Sequence, residues 1–508
     1  MNNAKICVSV FSKDAESLIG MMRRAESVAD VIELRFDVLD SENVRIAFEQ
    51  LVSEKQILLT MRPTEQGGHS TRDLTSRIGF WMEYALHRNI DHHSIWIDHE
   101  YDLIPGKDLM FWVDQCFVVR SRHYLDGEIA NLDKAYDTVV SEEEVGKIVV
   151  AVENAEDAVD VWKLLARAAK DGRRLTALAM GEAGKWTRIL GPAHGAFMTY
   201  AALEPGGETA PGQLTAEDLT DIFRVRELDQ ETAVYGIIAG KTDYSASPWM
   251  HNPAFRSAGL NAVFVPLQTN DLDSFMKRMV LPASREVELN FHGFSVTNPH
   301  KQAIIQYLDE VDEAAAKIGA VNTVKIENGK LYGYNTDAHG FISTLKHEYG
   351  ELSGARVALF GAGGAARACA AALLDAGASV GIFARSEERG TALANEIDVP
   401  FEGRVGERKM ADDFDIIVNA TPLGTAGSNA EYCVLSEPEL GGIKLVYDLV
   451  YNPPETTLIR EAKAAGVPAV NGLGMMIEQG AKQFEIWTGQ QAPVDAMRAG
   501  IEKRLSPS

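Results

Sequence analysis

Short apolar runs recur along residues 5–220, and helix-like stretches such as 155–170 separate them. Apolar runs of this length with polar boundaries are typical of β-strands. The eight runs are KICVSVF, VIELRFD, QILLTMR, SIWIDHE, QCFVVRS, KIVVAVE, LTALAMG and FMTYAAL. Eight strands with intervening helices predict an α/β protein whose N-terminal part is a (β/α)8 barrel.

Polar residues follow the apolar positions at the C-terminal ends of these predicted strands. They are Glu33, Arg35, Arg62, Asp98, Glu100, Arg120, His123 and Arg188. Active sites of (β/α)8 barrels form at the C-terminal ends of the strands. We therefore expect these side chains around a barrel active site.

The pattern changes after the eighth run. A charged stretch, DIFRVRELDQET, occupies residues 221–232, and a new strand, AVYGII, begins at residue 233. This change predicts a domain boundary near residue 230. A further strand–helix–strand pattern covers roughly residues 341–470 and predicts another α/β domain.

Within that last domain, the strand RVALF leads directly into a glycine turn and an apolar helical stretch. The turn consists of Gly361, Ala362, Gly363, Gly364, Ala365 and Ala366. Such a turn lets backbone N–H groups and a helix dipole meet a pyrophosphate. The next strand, SVGIFA, ends on Arg385, with Arg389 one turn later, and guanidinium groups suit a 2′-phosphate. The segment predicts an NADP site, although a glycine turn alone can also serve close packing on a strand.

Composition restricts the cellular setting and the partners. Apolar residues make up 46% of the 508 residues, and no apolar run approaches the roughly 20 residues that span a bilayer. The first residues lead into a strand without a secretory segment, so we expect a cytoplasmic protein. A net charge of −24 argues against nucleic acids and anionic membranes as partners. We expect small anionic substrates, held by local cationic and hydroxyl groups.

The four cysteines predict neither a metal site nor a disulfide framework. Cys7, Cys116, Cys369 and Cys433 are far apart and lack paired spacing. In mostly apolar contexts they are predicted to be buried small hydrophobic residues.

Lys147 is unusual because it lies in the apolar run GKIVVAVEN, where a charged ammonium is expensive to bury. A neutral amine is a nucleophile toward ketones, and the resulting imine withdraws electrons from the neighbouring carbon. His123, in the preceding strand-end segment, is a natural proton shuttle near neutral pH. Taken alone, a histidine in this position is more often structural.

Loops in the second half add polar groups of another kind. GKTDYSASP at 240–248 carries Ser245 and Ser247, FSVTNPHK carries Lys301, and GYNTD carries Asp337. Two loop hydroxyls can hold a carboxylate, although an ordinary helix N-cap is the commoner role. Reducing a ketone by hydride leaves an alkoxide, and a lysine beside a carboxylate can supply its proton.

Together with NATPLG at 419–424, DLVYNP at 448–453 and GLGMM at 472–476, these motifs closely resemble shikimate dehydrogenase over about residues 234–489. The resemblance implies that Lys301 and Asp337 are the catalytic pair. It implies a substrate site of Ser245, Ser247, Thr297, Asn322, Thr336, Tyr451 and Gln479. It implies a cofactor site of Gly361, Ala362, Gly363, Gly364, Ala365, Arg385, Arg389, Thr421 and Gly472.

The chain departs from the dehydrogenase pattern at two positions. Ala338 stands where the family usually has glycine, and Ala384 where it usually has asparagine. We expect the second change to remove an adenosine-side contact and to affect the affinity for the cofactor more than its identity. Ser247 and Thr297 are retained, which favours shikimate over quinate.

The first half resembles type I 3-dehydroquinate dehydratase over about residues 5–220. The motifs, in order, are ELRFD at 33–37, TMR at 60–62, Ser121-x-His123, Lys147, Met180-Gly181 with Arg188, and TAPGQ at 209–213. The resemblance implies that Lys147 forms a Schiff base and that His123 moves protons. It implies substrate contacts from Glu33, Arg35, Arg62, Arg188, Thr209 and Gln213. Glu33 and Arg35 could at the same time form an ordinary strand ion pair.

The barrel departs from its family at Gln66, which occupies a position usually held by glutamate, and at Thr209, which replaces serine. An amide cannot stabilise a histidinium as a carboxylate can. We expect a working dehydratase that is slower than its relatives.

The two resemblances concern consecutive reactions, because the product of the dehydratase is the substrate of the dehydrogenase. We therefore expect a shikimate-pathway enzyme with both activities. The alternatives are an active dehydrogenase with a binding-only barrel, and a regulatory protein built from inactive copies of both domains. The predicted domains are 1–228 (barrel), 229–340 completed by 472–508 (substrate binding of the dehydrogenase), and 341–471 (Rossmann-type, NADP).

Overall fold

A computed structural model describes residues 2–86, 95–103, 117–126, 131–405 and 413–505. Cys116 lies outside these ranges. The chain divides into two compact units. Unit 1 comprises residues 1–236, 241–244 and 261–291, and unit 2 comprises residues 237–240, 245–260 and 292–508.

The N-terminal sheet contains eight long parallel strands. They are β1 (Lys5–Val10), β2 (Val31–Arg35), β3 (Gln56–Thr60), β4 (Ile95–Glu100), β5 (Phe117–Tyr124), β6 (Val145–Ala151), β7 (Leu175–Met180) and β8 (Met198–Ala202), with a short β9 (Leu214–Thr215) beside β8. β1 lies between β2 and β8, and the remaining strands follow in chain order. The barrel closes between β7 and β8, where the amide of Phe197 donates to the carbonyl oxygen of Leu175 at 2.9 Å. The predicted barrel and its eight strands are confirmed.

These strands form because their apolar side chains are covered on both faces. Every residue of β2, β4 and β7 is buried, as expected for parallel strands enclosed by helices. The helices that alternate with them are α1 (Ala15–Ala25), α2 (Ser41–Glu49), α3 (Leu74–Leu86), α4 (Leu132–Val139), α5 (Val159–Asp171) and α6 (Lys185–Leu190). Leu58, Val119 and Leu178 belong to a buried core cluster of this sheet.

A second sheet has six strands in the order β11-β10-β12-β14-β15-β13. Its elements are β10 (Ala233–Ala239), α7 (Ser247–Ser257), β11 (Ala262–Gln268), α8 (Leu272–Phe275), β12 (Phe291–Val296), β13 (Glu310–Val311), α9 (Glu313–Ile318), β14 (Thr323–Glu327), β15 (Lys330–Tyr334) and α10 (Asp337–Tyr349). β14 runs antiparallel to both β12 and β15. Lys301 follows β12 and Asp337 begins α10, so neighbouring parts of unit 2 supply the two side chains.

The third sheet is parallel throughout, in the order β18-β17-β16-β19-β20-β21. Its elements are β16 (Arg356–Phe360), α11 (Gly364–Asp375), β17 (Ser379–Ala384), α12 (Glu387–Glu396), β18 (Phe401–Arg404), β19 (Ile416–Asn419), β20 (Leu445–Asp448), α13 (Thr457–Ala464) and β21 (Ala469–Val470). The strand order reverses direction between β16 and β19, where doubly wound sheets bind ligands. This is the predicted Rossmann-type arrangement.

Two C-terminal helices complete unit 2, namely α14 (Leu473–Thr488) and α15 (Val494–Leu505). α10 and α14 approach closely at Gly340, where a Cβ atom would lie 2.7 Å from the carbonyl oxygen of Met475. This approach brings Gln479 and Gln483 of α14 near the start of α10. Within the described ranges, none of the helices combines the length and the apolar character that crossing a membrane requires.

Candidate active sites

Lys147 is the third residue of β6, and its ammonium group lies inside the barrel. Nζ is 3.1 Å from Oδ2 of Asp98 and 3.7 Å from Oε1 of Glu33. It also lies 4.0 Å from the ring centroid of Tyr200. Lys147 is only 3% exposed, and the two carboxylates compensate its buried charge. They come from β4 and β2, and the apolar sequence around Lys147 does not indicate them.

Arg62 connects this group to His123. One terminal nitrogen of Arg62 donates to Asp98, and the other contacts Nε2 of His123. Burial, and after it the nearby charges of Arg62 and Lys147, hold the pKa of His123 well below its usual value. A guanidinium has only donors, so Nε2 must be the acceptor and the imidazole is neutral. In this state His123 can take up a proton.

Asp98 is the residue that sequence reasoning placed at a strand end without giving it a role. It accepts hydrogen bonds from Ser121, Arg62 and Lys147 and is fully buried. Burial alone would raise the pKa of Asp98, but the Arg62 guanidinium and the Lys147 ammonium lower it to about 2. Asp98 is therefore ionised and orients both cations. Its signal in the sequence was its position at the C-terminal end of β4.

Lys147, Arg62 and His123 border a cavity of about 310 Å³. The barrel site residues that the family resemblance implies all line it, namely Glu33, Arg35, Arg62, His123, Lys147, Arg188, Thr209 and Gln213. Arg188 is 2% exposed, and burial lowers its pKa to about 10. In the described part of the chain no carboxylate lies within ion-pair distance of Arg188, and its Nε has no hydrogen-bond partner. A buried, unpaired guanidinium at a cavity wall suits an anionic ligand.

Three expectations about the barrel residues need correction. Arg188 lies on α6 and not at a strand end, because β7 already ends at Met180 and a glycine turn follows it. Glu100 and Arg120 do not line the cavity. Glu100 instead faces Arg77 of α3 at 3.5 Å, and Arg120 faces Glu144 at 3.5 Å. Position near a strand end does not by itself determine which way a side chain points.

The strand ion pair considered as an alternative role for Glu33 and Arg35 does not form between these two side chains. Arg35 instead donates two hydrogen bonds to Asp37, at 2.7 and 2.8 Å. Glu33 accepts from Thr60 at 2.8 Å and from Ser9 at 2.5 Å, and it faces Lys147. Each residue thus has its own partners.

Gln66 also lines the cavity. Its Oε1 accepts the backbone N–H of His123 at 3.3 Å. The amide therefore supports the histidine through its main chain.

The second candidate site lies in unit 2. Nζ of Lys301 donates to Oδ2 of Asp337. Nδ2 of Asn322 donates to the other oxygen of Asp337, Oδ1, at 2.7 Å and to the hydroxyl of Thr336 at 3.0 Å. Oε1 of Gln479 lies 3.4 Å from both the Asn322 amide nitrogen and the Thr336 hydroxyl. The structure thus brings five of the predicted site residues into one hydrogen-bonded cluster.

The remaining predicted substrate residues lie at element ends. Ser245 and Ser247 are buried at the start of α7, where Oγ of Ser245 accepts the N–H of Ser247 at 3.3 Å. The N-cap residue of this helix is Ala246, so the ordinary N-cap role considered for the serines is wrong. Thr297 directly follows β12, and Tyr451 lies three residues after β20.

The residues around the glycine turn fit a dinucleotide. Gly361 has φ +129°, and a Cβ atom there would lie 2.8 Å from the carbonyl oxygen of Ala420. α11 begins at Gly364 without a side-chain cap, which leaves its first N–H groups for an anion. A Cβ atom on Gly364 would lie 3.0 Å from Cδ of Lys301. The turn therefore runs beside the predicted catalytic lysine.

The other predicted cofactor residues lie at the C-terminal edge of the third sheet or beside it. Arg385 and Arg389 are exposed after β17. The hydroxyl of Thr421 donates to Oδ1 of Asn419 at 2.6 Å. A Cβ atom on Gly472 would lie 2.0 Å from the carbonyl oxygen of Leu449, so only glycine fits there.

Three cysteines of the described ranges are free thiols. Cys7 and Cys369 are buried, and Cys433 is half-buried. The described residues contain no group of histidine, cysteine and carboxylate side chains that could hold a metal ion.

Family comparisons divide the chain as its motifs do. Residues 6–230 match the type I 3-dehydroquinase family. Residues 237–324 match the shikimate dehydrogenase substrate binding domain, and residues 472–499 match the shikimate 5'-dehydrogenase C-terminal domain.

The chain is also similar to individual relatives. The bifunctional 3-dehydroquinate dehydratase/shikimate dehydrogenase of Arabidopsis thaliana, named as chloroplastic, is 31% identical over 97% of this chain and 83% of its own length. A solved shikimate dehydrogenase in complex with NADP+ is 38% identical, with a TM-score of 0.51 over 55% of this chain and 98% of its own. The shikimate 5-dehydrogenase of Thermus thermophilus, solved with NADP(H) and shikimate, is 34% identical, with a TM-score of 0.47 over 53% of this chain and 99% of its own.

The Arabidopsis relative aligns with both halves of the chain, in the order predicted from the motifs. The chain belongs to the family of bifunctional 3-dehydroquinate dehydratase/shikimate dehydrogenases, which join a lyase to an NADP-dependent oxidoreductase of the shikimate pathway.

Proposed function

We propose that the barrel dehydrates 3-dehydroquinate to 3-dehydroshikimate through a Schiff base on Lys147, and that unit 2 reduces this product to shikimate with NADPH. The observation that carries the proposal is the cavity in which Lys147, the neutral His123 and the unpaired Arg188 meet. These groups offer a nucleophile, a base and an anion partner for one ligand.

The dehydratase chemistry follows from these groups. The Lys147 ammonium first gives up a proton to solvent, and the resulting amine adds to the ketone carbon. The adduct then loses water to give an imine. Nε2 of His123, released from its hydrogen bond with Arg62, then takes a proton from the neighbouring carbon, and the electron pair moves into the imine. Return of the pair expels the hydroxyl group, which leaves as water with the proton from His123. Hydrolysis of the imine releases the enone and restores the amine.

The remaining cavity residues bind and orient the substrate in this proposal. Arg188 pairs with the substrate carboxylate, because it is the cavity cation without a carboxylate partner. Thr209 and Gln213 hydrogen bond to each other at 3.1 Å and offer groups to the substrate hydroxyls. Glu33, Arg35 and Arg62 complete the wall. Asp98 contacts no substrate and acts as a positioning residue for Lys147 and Arg62.

Borohydride should trap the substrate on Lys147. Reduction of the imine gives a stable secondary amine. With 3-dehydroquinate and borohydride, we expect irreversible loss of dehydratase activity and a covalent adduct on the peptide that contains Lys147, detected by mass spectrometry.

Lys185, which is half-buried on α6 and outside the cavity lining, provides the internal control and should stay unmodified. Dehydration without an adduct, or with an adduct on another residue, would rule out the Schiff-base assignment. An adduct without turnover would support the binding-only barrel considered above.

For the reductase, we propose that Lys301 protonates the oxygen of the reduced ketone and that Asp337 holds Lys301 in place. Bound NADPH supplies the hydride. The ion pair between Nζ and Oδ2 of Asp337 keeps the ammonium in one orientation, with Asn322 holding the carboxylate from the other side. Asn322, Thr336 and Gln479 face the substrate beside this pair. Ser245, Ser247, Thr297 and Tyr451 complete the substrate site.

Cofactor selectivity should depend on Arg385. The guanidinium groups of Arg385 and Arg389 are proposed to bind the 2′-phosphate, and the amides of residues 361–365 the pyrophosphate. Arg385→Ala should weaken binding of 2′,5′-ADP about tenfold or more by calorimetry, because a charge-assisted hydrogen bond contributes roughly 1.5–3 kcal/mol. Binding of 5′-AMP should stay unchanged. Equal losses for both ligands would show that Arg385 does not contact the 2′-phosphate.

We also propose the domain limits 1–228, 229–340 with 472–508, and 341–471. The compartment stays a prediction, because the sequence predicts a cytoplasmic protein whereas the Arabidopsis relative is named as chloroplastic. Fractionation of the native cells would distinguish the two.

A further inference from the structure

Gln483 lies on α14, one turn after Gln479, and is 2% exposed. Its amide oxygen, Oε1, accepts the hydroxyl of Ser295 at 2.9 Å. Nε2 of His251 lies 3.3 Å from the same oxygen. Burial lowers the pKa of His251 to about 3, so its imidazole is neutral and donates through Nε2. Two donors thus fix the oxygen end of the amide.

The nitrogen end of the same amide points toward the reductase site. Nε2 of Gln483 donates to the carbonyl oxygen of Asn322 at 3.2 Å and to Oγ1 of Thr323 at 3.0 Å. The Thr323 hydroxyl in turn donates to Oδ1 of Asn322 at 2.7 Å. Both hydrogens of the Gln483 amide are therefore used within one short segment.

The direction of these bonds determines how Asn322 faces Asp337. Oδ1 of Asn322 accepts from the Thr323 hydroxyl and from the N–H of Thr336 at 2.8 Å. Its nitrogen must then lie on the opposite side, where it donates to Oδ1 of Asp337 at 2.7 Å. If the Thr323 hydroxyl donated elsewhere, Asn322 would lose the shortest of the hydrogen bonds to Oδ1 that prevent its amide from turning.

We propose that Gln483 is a positioning residue of the reductase, which through Thr323 fixes the amide of Asn322 and thereby the Asp337–Lys301 pair. This inference rests on the proposed role of Lys301 and Asp337 and extends it to a residue that contacts neither. The donors in the chain all point the same way, from Ser295 and His251 through Gln483, Thr323 and Asn322 to the carboxylate.

A purely structural role for Gln483 predicts a different behaviour. Trp487 lies one turn later on α14, is buried, and donates through Nε1 to the carbonyl oxygen of Val324 at 2.9 Å. It therefore joins the same helix to the same strand, β14, and its ring lies against that of His251, with centroids 5.1 Å apart, a contact that a phenylalanine ring can keep. Trp487→Phe removes this donor and serves as the matched control.

The test compares Gln483→Glu, Gln483→Met, Thr323→Val and Trp487→Phe in the full-length protein. Gln483→Glu keeps the shape but replaces the donor by an acceptor, which draws the Thr323 proton away from Asn322. We expect kcat/KM for NADP-dependent shikimate oxidation to fall about 10- to 100-fold in the first three variants, because small misplacements of reacting groups have effects of this size. In the pH profile of kcat/KM, the acid limb of these three variants should move to higher pH. Trp487→Phe should change neither quantity.

The double variant Gln483→Met/Thr323→Val should be no slower than the worse single variant, because both act along one path. Thermal melts report the cost to folding separately. The proposal would be overturned if the Gln483 variants had a lower melting temperature but the same kcat/KM and pH profile as Trp487→Phe. Independent, multiplying effects in the double variant would overturn it as well. Lys301→Ala belongs in the same series. If that variant kept its reductase activity, the proposed role of Lys301 would itself be contradicted.

Discussion

Lys147→Ala is expected to abolish dehydration of 3-dehydroquinate, by about a thousandfold or more, while reduction of 3-dehydroshikimate stays near the wild-type rate. Lys301→Ala should do the reverse. Each lysine supplies a group for which its site has no substitute, since general acid–base catalysis alone contributes roughly 10²–10⁴-fold. Lys147 belongs to unit 1 and Lys301 to unit 2, so each substitution leaves the other set of catalytic groups intact. Steady-state assays of both half-reactions on both variants provide the measurement.

Each variant is the control for the other, and thermal melts establish that both are folded. Addition of free 3-dehydroshikimate should restore shikimate formation by Lys147→Ala, because only the first reaction is blocked. Loss of both activities in either folded variant would contradict two self-contained sites. Residual dehydration near the wild-type rate in Lys147→Ala would exclude covalent catalysis by this lysine.

The architecture of the barrel was predictable because its strands are local, continuous apolar segments. All eight predicted runs contain a strand, with ends shifted by up to three residues. It was harder to predict which polar residues line the barrel cavity. Glu100 and Arg120 shared the sequence context of Arg62 and His123, yet each faces an oppositely charged group outside the cavity. Side-chain direction depends on the neighbouring helices, and sequence position does not reveal it.

Contacts across the barrel were the part that the sequence could not show. Lys147 lies in an apolar run, and its carboxylate partners Asp98 and Glu33 are 49 and 114 positions away in sequence. The same limit applies to Gln483, which meets Asn322 across about 160 residues. Motif resemblance located the residues of the Asp337 cluster, whereas long-range packing between α14 and β14 determines what holds that cluster in place.

Asp98→Asn is expected to destabilise the barrel by about 3 kcal/mol and to reduce dehydration strongly, because removing one member of a buried ion cluster leaves uncompensated charge. Glu33 would remain as the nearby anion for both Arg62 and Lys147. Urea unfolding followed by circular dichroism measures the stability, and the dehydratase assay measures the activity. Reduction of 3-dehydroshikimate by the folded variant should be unaffected.

Asp137→Asn is the matched control, because Asp137 pairs with Arg167 on the barrel surface and its side chain is 65% exposed. Exposed ion pairs contribute only about 0–1 kcal/mol, so this variant should resemble the wild type.

The pKa of Asp98 is lowered to about 2 in the folded protein. Its carboxylate therefore stabilises the fold fully above pH about 4 and loses this effect as the pH falls toward 2. The difference between wild type and Asp98→Asn should narrow over that range. A difference that is constant with pH would mean that packing, and not charge, causes the destabilisation.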